Sequence, residues 1–306
     1  MRATITTASA IREGQSAIVL GDNLDILRTL PDECARLIYI DPPFNTGKRQ
    51  TMTRLKVQSS PAGSRVGFGG RRYAVEKLGT LSFADTFDDL SAFLEPRLIE
   101  ARRLLARDGS LFVHLDSHEV HYCKVLLDHL FGRPNFQNEI IWSYDFGGRS
   151  RSRWSRKHDN ILWYTKHPTQ FVYNYADIDR IPYMAPSLVG PEKAARGKTP
   201  TDVWWQTIVP TNGAERTGYP TQKPLRILER IVRVHSEPKD LVLDFFSGSG
   251  TTGEAAARLG RRFCLVDCNP EAAEIMVKRL RSFSPVFIDM ASHRGWSSSE
   301  SGKDAR

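Results

Sequence analysis

Asp41-Pro42-Pro43-Phe44 sets a carboxylate, a rigid double proline and an aromatic ring in four consecutive positions. Such a group could hold a planar base that bears an exocyclic amino group. Asp41 would accept one amino N–H, the Pro42 carbonyl would accept the other, and Phe44 would stack on the ring. Proline suits the second task because it offers a fixed acceptor without a competing donor. The same four residues also suit an ordinary turn, since Asp and Pro are common there. Their position adds weight to the chemical reading. They close the apolar run Leu37-Ile38-Tyr39-Ile40, which reads as a buried strand. In open α/β sheets, ligands bind at the carboxyl ends of strands.

A second constellation lies two hundred residues on. Leu241-Val242-Leu243-Asp244-Phe245-Phe246-Ser247-Gly248-Ser249-Gly250-Thr251-Thr252-Gly253 reads as strand, glycine-rich turn and helix. Its glycines allow a sharp turn and close approach of backbone to a ligand. Arg262 to Asp267 reads as the next strand, and an acidic residue at its end can bind ribose hydroxyls. Gly248, Gly250 and Gly253 formally spell G-x-G-x-x-G, which raises a dinucleotide-binding dehydrogenase as an alternative. That pattern is weak by itself, and a dehydrogenase has no use for the Asp41 tetrapeptide.

Taken in order, the two motifs resemble those of the DNA amino-methyltransferases, which move a methyl group from S-adenosylmethionine to adenine N6 or cytosine N4. A third block, Gly218-Tyr219-Pro220-Thr221-Gln222-Lys223-Pro224-Leu225, is similar to the cofactor-side motif that precedes the glycine turn in the permuted (beta) group. In that group the catalytic tetrapeptide comes first, a target-recognition region follows, and the glycine turn comes last. The resemblance runs from about Gly21 to about Leu280. Many members carry Tyr where this chain has Phe44, a departure that removes only a phenolic hydroxyl.

The resemblance implies a Rossmann-like α/β methyltransferase fold with permuted motif order and an inserted recognition region. It implies Asp41, Pro42, Pro43 and Phe44 as the catalytic group. The implied cofactor contacts are Phe246, Gly248, Ser249, Gly250 and Thr251 at the turn, with Asp244 beside them. Asp267 would serve the ribose, Asp22 the adenine wall, and Gln222 and Lys223 the neighbouring rim. Asp22 equally suits capping the helix that follows it. The expected reaction is methylation of adenine N6 in double-stranded DNA, without a metal and without a covalent enzyme intermediate. Cytosine N4 is the nearest alternative. Family members for cytosine more often carry Ser at the position of Asp41, which favours adenine. An inactive DNA-binding protein on the same scaffold is the alternative from another class. A homodimer and a cognate restriction endonuclease are further partners that the resemblance brings into view.

Bulk properties agree with this reading. The chain has 306 residues, enough for one large α/β domain with an inserted subdomain. It contains no apolar run near the ~18 residues expected of a membrane span, and its N-terminus lacks the apolar core of a signal peptide. A cytoplasmic, prokaryotic protein is expected. Cys34, Cys123, Cys264 and Cys268 show no disulfide or zinc spacing and read as buried reduced thiols. The net charge of +8 is unevenly spread. Residues 48–72 hold seven basic residues (Lys48, Arg49, Arg54, Lys56, Arg65, Arg71, Arg72) and no acidic one. Residues 149–157 hold five more (Arg149, Arg151, Arg153, Arg156, Lys157), again without an acid, so the remainder is net acidic. Two basic blocks on an acidic body read as a phosphate-binding footprint.

The elements that must position these groups follow from periodicity. Residues 1–14 read as a polar leader, 17–20 as a short strand and 23–30 as a helix. Residues 45–82, rich in glycine, read as a long mobile loop that would close over cofactor and touch DNA backbone. An apolar stripe predicts a helix over 92–106, ended by Gly109, then a strand over 110–115 carrying His114. Amino methylation needs no histidine nucleophile, so His114 is expected to be packed or hydrogen-bonded. A helix over 119–131 follows, then strands over 139–143 and 160–164 with the basic turn between them. Trp154 and His158 could help hold a flipped base, or could be structural. Three stretches complete the expected organisation: a target-recognition region over 166–215, the cofactor half over 216–290, and a frayed tail over 291–306. Of Trp204 and Trp205, at least one is expected in the core. Helices are expected to open at Pro224 and at Asn269-Pro270.

Overall fold

The computed structural model describes residues 6–43, 48–59, 65–66, 72–85, 89–210 and 212–290, with backbone only for 48–59, 65–66 and 73–85. The strands are β1 (Ala17–Leu20), β2 (Ala35–Ile40), β3 (Lys48–Ser59), β4 (Arg65–Val66), β5 (Arg72–Asp85), β6 (Leu105–Leu115), β7 (Phe136–Ser143), β8 (His158–Thr165), β9 (Val203–Trp205), β10 (Leu241–Asp244), β11 (Arg262–Asp267) and β12 (Val286–Asp289). The α-helices are α1 (Thr7–Arg12), α2 (Asn23–Thr29), α3 (Leu90–Leu104), α4 (Val120–Phe131), α5 (Pro191–Arg196), α6 (Leu225–His235), α7 (Thr251–Arg258) and α8 (Pro270–Leu280).

Nine strands form one sheet in the order β12-β1-β11-β10-β2-β6-β8-β7-β9. From β12 to β6 every neighbouring pair is parallel. β8 then runs antiparallel to β6, and β7 antiparallel to β8. Parallel strands are covered on both faces, which explains why Leu37 to Ile40 of β2 and Leu241 to Leu243 of β10 are apolar without alternating. Leu37, Tyr39 and Val242 point into one core with α6, α7 and α8. Ile38, Ile40 and Leu243 point into the other, with α1, α2, α3 and α4. Full burial of one such aliphatic side chain is worth about 1.5–3 kcal/mol, so a polar residue at any of these positions would be costly.

The central feature is the pairing of β10 with β2, Val242 beside Leu37 and Leu243 beside Ile38, across two hundred residues of chain. From β10 the chain leaves through α7 towards β11, and from β2 through α3 towards β6. The two helices lie on opposite faces, so a crevice opens between the carboxyl ends of β10 and β2, the place where such sheets bind ligands. Both chemical motifs end at this crevice.

Three local expectations are corrected. The polar leader contains α1, held by a capping box in which Thr6 and Ser9 exchange hydrogen bonds, and it buries Ala10 and Ile11. The expected loop 45–82 is largely strand: β3 and β5 pair antiparallel from Lys48–Asp85 to Ser59–Tyr73, with β4 added at the far end. Thr51, Thr53, Leu55 and Val57 on β3 and Tyr73 and Val75 on β5 recur with period two and favour a ladder. Among the cysteines, Cys123 and Cys264 are buried, but Cys268 is exposed. The other expected helices and strands lie within a few residues of their expected bounds, while α5, β9 and β12 stand outside the expected elements; Trp204 is core and Trp205 is 69% exposed. Among the described residues, no helix is long and apolar enough to cross a membrane.

Candidate active site at the crevice between β10 and β2

Asp41 follows the last residue of β2, so its place is set by the buried ladder beneath it. Its Oδ2 accepts a hydrogen bond from Lys223 Nζ at 2.5 Å, and Lys223 is only 8% exposed. Its Oδ1 is buried and has no partner among the described residues. A desolvated acceptor left open costs about 1–3 kcal/mol, so native structures rarely keep one without a use. Pro42 is buried and Pro43 half-buried. Phe44 lies outside the described residues.

Behind Asp41 runs a buried polar chain. Tyr39, two residues earlier on the same face of β2, meets His114 Nδ1 at 2.7 Å. His114 Nε2 meets Asp159 Oδ2 at 3.2 Å, and Tyr144 donates to Asp159 Oδ1 at 3.0 Å. Burial opposes ionisation of Asp159. The His114 hydrogen bond and charge, the Lys223 charge and the Tyr144 bond outweigh it and hold the carboxyl below its usual range. His114 is thus hydrogen-bonded, as its chemistry suggested, and ties β2 to β6 and β8.

On the other side of the crevice, the glycine turn is organised by two carboxylates. Asp244 Oδ1 accepts from the Phe246 backbone N–H at 3.0 Å, and its Oδ2 accepts from Thr252 Oγ1 at 2.6 Å. Burial pushes Asp244 up to about 7; those two bonds oppose the rise, and the charges of Asp41 and Asp267 add to it. Asp267, ending β11, accepts from Gly248 N at 2.8 Å and from Asn269 N at 2.9 Å. Burial raises Asp267 also, against those backbone hydrogen bonds. The turn needs its glycines. At Gly250 φ is +74° and an added Cβ would lie 2.8 Å from Met276 Cγ; at Gly248 φ is +49° and a Cβ would lie 3.0 Å from the Tyr219 ring. Ser249 and Thr251 share a hydroxyl contact of 3.1 Å, and Arg279 donates to Thr251 Oγ1 at 2.9 Å. Phe246 is half-buried against Phe93, with ring centroids 6.1 Å apart.

Asp22 caps α2 by accepting from Asp25 N at 3.1 Å, and Arg97 lies 3.6 Å from its other oxygen. Arg97 also donates to Asn23 Oδ1, and Asn23 Nδ2 donates to the Phe245 carbonyl at 2.8 Å. This link pins α2 and α3 to the glycine turn. Its signal in the sequence is a lone arginine on the apolar stripe of α3. Gln222 spends its amide locally, accepting from Thr217 N and Oγ1 and donating to the Glu215 carbonyl, each at 2.8 Å. It therefore shapes the 215–222 turn.

The basic turn 149–157 joins β7 to β8. Because β8 runs antiparallel to β6, with Asn160 beside Leu115, the turn emerges at the same sheet edge as Asp41. Arg151 and Arg153 are exposed, and Trp154 is 96% exposed. Arg149 pairs with Asp145 at the base of the turn, Arg156 contacts His118, and Lys157 Nζ donates to the Gly148 carbonyl at 3.0 Å. Arg72 is exposed on β5; Arg49 lies on β3 by its backbone, and Arg71 is outside the described residues.

A family model described as DNA methylase matches residues 35–278. A type II methyltransferase, M.HpaI of Haemophilus parainfluenzae, is 29% identical over 266 residues, covering 87% of this chain and 74% of the relative. The DNA adenine methyltransferase YhdJ of Escherichia coli (strain K12) is 28% identical over 289 residues, covering 90% of this chain and 83% of the relative. Among solved structures, an M1.HpyAVI–SAM complex superposes with TM-score 0.55 at 21% identity, covering 86% of this chain and 98% of that one. The cytosine-N4-specific PvuII DNA methyltransferase superposes with TM-score 0.59 at 16% identity, covering 90% and 95%. These two likenesses establish the fold.

Proposed function

The chain belongs to the DNA methylase family, and from that premise we propose that it methylates adenine N6 in double-stranded DNA with S-adenosylmethionine as methyl donor. The observation that carries the reading is the buried, open Oδ1 of Asp41, an acceptor waiting for a donor at the carboxyl edge of β2. An exocyclic amino group supplies such a donor. Aspartate at this position and the similarity to a DNA adenine methyltransferase both favour adenine.

The cofactor side fits the same reading. Gly248 and Gly250, where a Cβ would collide with Tyr219 or Met276, let the turn pack tightly beside the crevice. Phe246, Ser249, Thr251 and Asp244 would hold the methionine end, Asp267 the ribose, Asp22 the adenine wall, and the Gln222-Lys223 segment the rim. When bound, S-adenosylmethionine supplies an electrophilic methyl group on a sulfonium sulfur.

The amino nitrogen of adenine is a poor nucleophile because its lone pair is delocalised into the ring. Asp41 Oδ1 accepts one amino proton and the Pro42 carbonyl the other, which favours pyramidal nitrogen and stabilises the positive charge that develops there. The surplus proton leaves the nitrogen along the hydrogen bond to Asp41. Holding the base in one place removes much of the entropic barrier. The base must first leave the duplex, at a cost of a few kcal/mol that stacking on Phe44 and phosphate contacts offset. Arg149, Arg151, Arg153, Arg156 and Lys157, with Arg49, Arg71 and Arg72, supply the phosphate contacts. Residues 166–215 read the target sequence. A homodimer and a restriction endonuclease sharing the target are the protein partners this reading carries.

The test is incubation with labelled S-adenosylmethionine and unmethylated genomic DNA, followed by nucleoside digestion and mass spectrometry. N6-methyladenine is expected. N4-methylcytosine would keep the site chemistry and change the base, and absence of any methylated nucleoside would overturn the reading.

A further inference from the structure

Lys223 reaches both halves of the site. Its backbone carbonyl accepts from Thr251 Oγ1 at 3.3 Å, and Thr251 opens α7 directly after the glycine turn. Its ammonium holds Asp41 Oδ2 at 2.5 Å, across 182 positions of sequence. The Thr251 hydroxyl that anchors it is itself held by Arg279 at 2.9 Å, so the lysine extends from a fixed base. Its charge also lowers Asp159, on the far side of the polar chain behind Asp41. The ammonium thus acts on two carboxylates, Asp41 and Asp159, from a segment that belongs to the glycine-turn half. A buried ion pair is a poor source of net stability, because desolvation of both charges offsets their attraction. The fold has little to gain from this one. Its geometric effect is definite: it occupies one carboxylate oxygen and leaves the other open.

We propose that Lys223 is a positioning residue for methyl transfer: its ammonium fixes Asp41 through Oδ2, so that Oδ1 stays aimed at the place the base amino group takes. This role deepens the proposed reaction and rests on it. A carboxylate free to turn about its side-chain torsions would offer Oδ1 in the required direction for only part of the time. The lysine removes that freedom before the base arrives, and it does so from the segment that also rims the cofactor turn. Reactant orientation of this kind is read in the rate of the chemical step more than in binding.

The experiment uses the full chain, saturating S-adenosylmethionine, unmethylated DNA and single-turnover conditions. Lys223→Met keeps most of the side chain's length and removes its charge. It is expected to slow methylation about 100-fold while the dissociation constant for S-adenosylmethionine changes less than about threefold. The opposite split, weak cofactor binding with a rate restored at saturation, would leave Lys223 as cofactor rim only and overturn the proposal. An unchanged rate would overturn it too. Lys223→Ala supplies an independent readout, which also serves if Lys223→Met melts early. Added propylammonium is expected to restore its rate about tenfold, and propanol is not. Equal rescue by both, or by neither, counts against a role for the charge. If the wild type yields no methylated nucleoside, the proposed reaction and this role fall together. If the wild type is active and Lys223→Met matches it, the role alone falls.

Discussion

The carboxylates on the two sides of the crevice are treated differently. On the glycine side, Asp244 and Asp267 each receive two hydrogen bonds from their own surroundings, from Phe246 N and Thr252 Oγ1 and from Gly248 N and Asn269 N. On the β2 side, Asp41 is held by Lys223 through one oxygen, and its other oxygen is buried without a partner among the described residues. The first arrangement shapes backbone: the acids accept the turn's own N–H groups and so hold its path. The second is held ready for a donor that the chain does not provide. Two acids at neighbouring strand ends can thus serve as scaffold and as reactive group, and the distinction lies in which oxygens are already occupied.

Substitution at Asp41 tests this contrast with the largest expected effect. Asp41→Asn keeps an oxygen for Lys223 but turns the open acceptor into a donor or leaves it neutral. Turnover is expected to fall by at least about 10³-fold, with cofactor affinity and melting temperature little changed. Residual activity within tenfold of wild type would remove Asp41 from the chemistry. Asp244→Ala should behave in the reverse sense. It strips the acceptor from the Phe246 N–H and the Thr252 hydroxyl, so a loss of about 2–4 kcal/mol in stability is expected, together with weaker cofactor binding. Denaturant titration and calorimetric binding would measure both.

The pH dependence of stability sharpens the same distinction. Asp244 is raised to about 7 in the folded protein, chiefly by burial, above the usual carboxylate value of 3.8. Between those values the folded chain keeps a proton that the unfolded chain has lost. Its stabilising contribution is therefore full below the unfolded value and is lost as pH rises through about 7. Melting curves of the wild type should show stability falling from pH 5 to pH 7 by up to about 1.4 kcal/mol per unit from this group. Asp244→Asn should flatten that part of the slope, and an unchanged slope would assign it elsewhere. The smallest effect is expected outside the crevice. Replacing Arg151 and Arg153 together by Ala should weaken DNA binding about tenfold at moderate salt. It should lower the slope of log affinity against log salt by about 2, with the rate at saturating DNA retained. Fluorescence anisotropy over a salt series would show this.

How much was legible in the sequence depended on whether a residue's role was local. The strand before Asp41, the glycine turn, the capping role of Asp22 and the helix beginning at Asn269-Pro270 all rest on neighbours a few positions apart, and they lie where expected. The hairpin of β3 and β5 departs from the expected loop because glycines in this stretch outweigh a period-two pattern of Thr, Leu and Val, and because a strand's stability depends on a partner 14 to 37 positions away in the ladder. Gln222 read as a ligand of the cofactor rim, but its amide is occupied by Thr217 and Glu215. Arg97 has a role that its spacing could not announce, because Asn23 and Asp22, which it binds, lie more than seventy positions away.

The sequence by itself determined the chemical vocabulary. An acid with two prolines ends one apolar strand, a glycine turn follows another, and two basic blocks stand on an acidic body. Those choices are written in residue type and short spacing, where sterics and hydrogen-bonding capacity act without help from the rest of the chain. The tertiary structure alone decided that β10 lies against β2, that Lys223 binds Asp41, and that one oxygen of Asp41 stays open. Each of these joins residues far apart in the chain. They are set by the burial of apolar surface on both faces of the sheet, which fixes strand order and so brings together charges that no local spacing could connect.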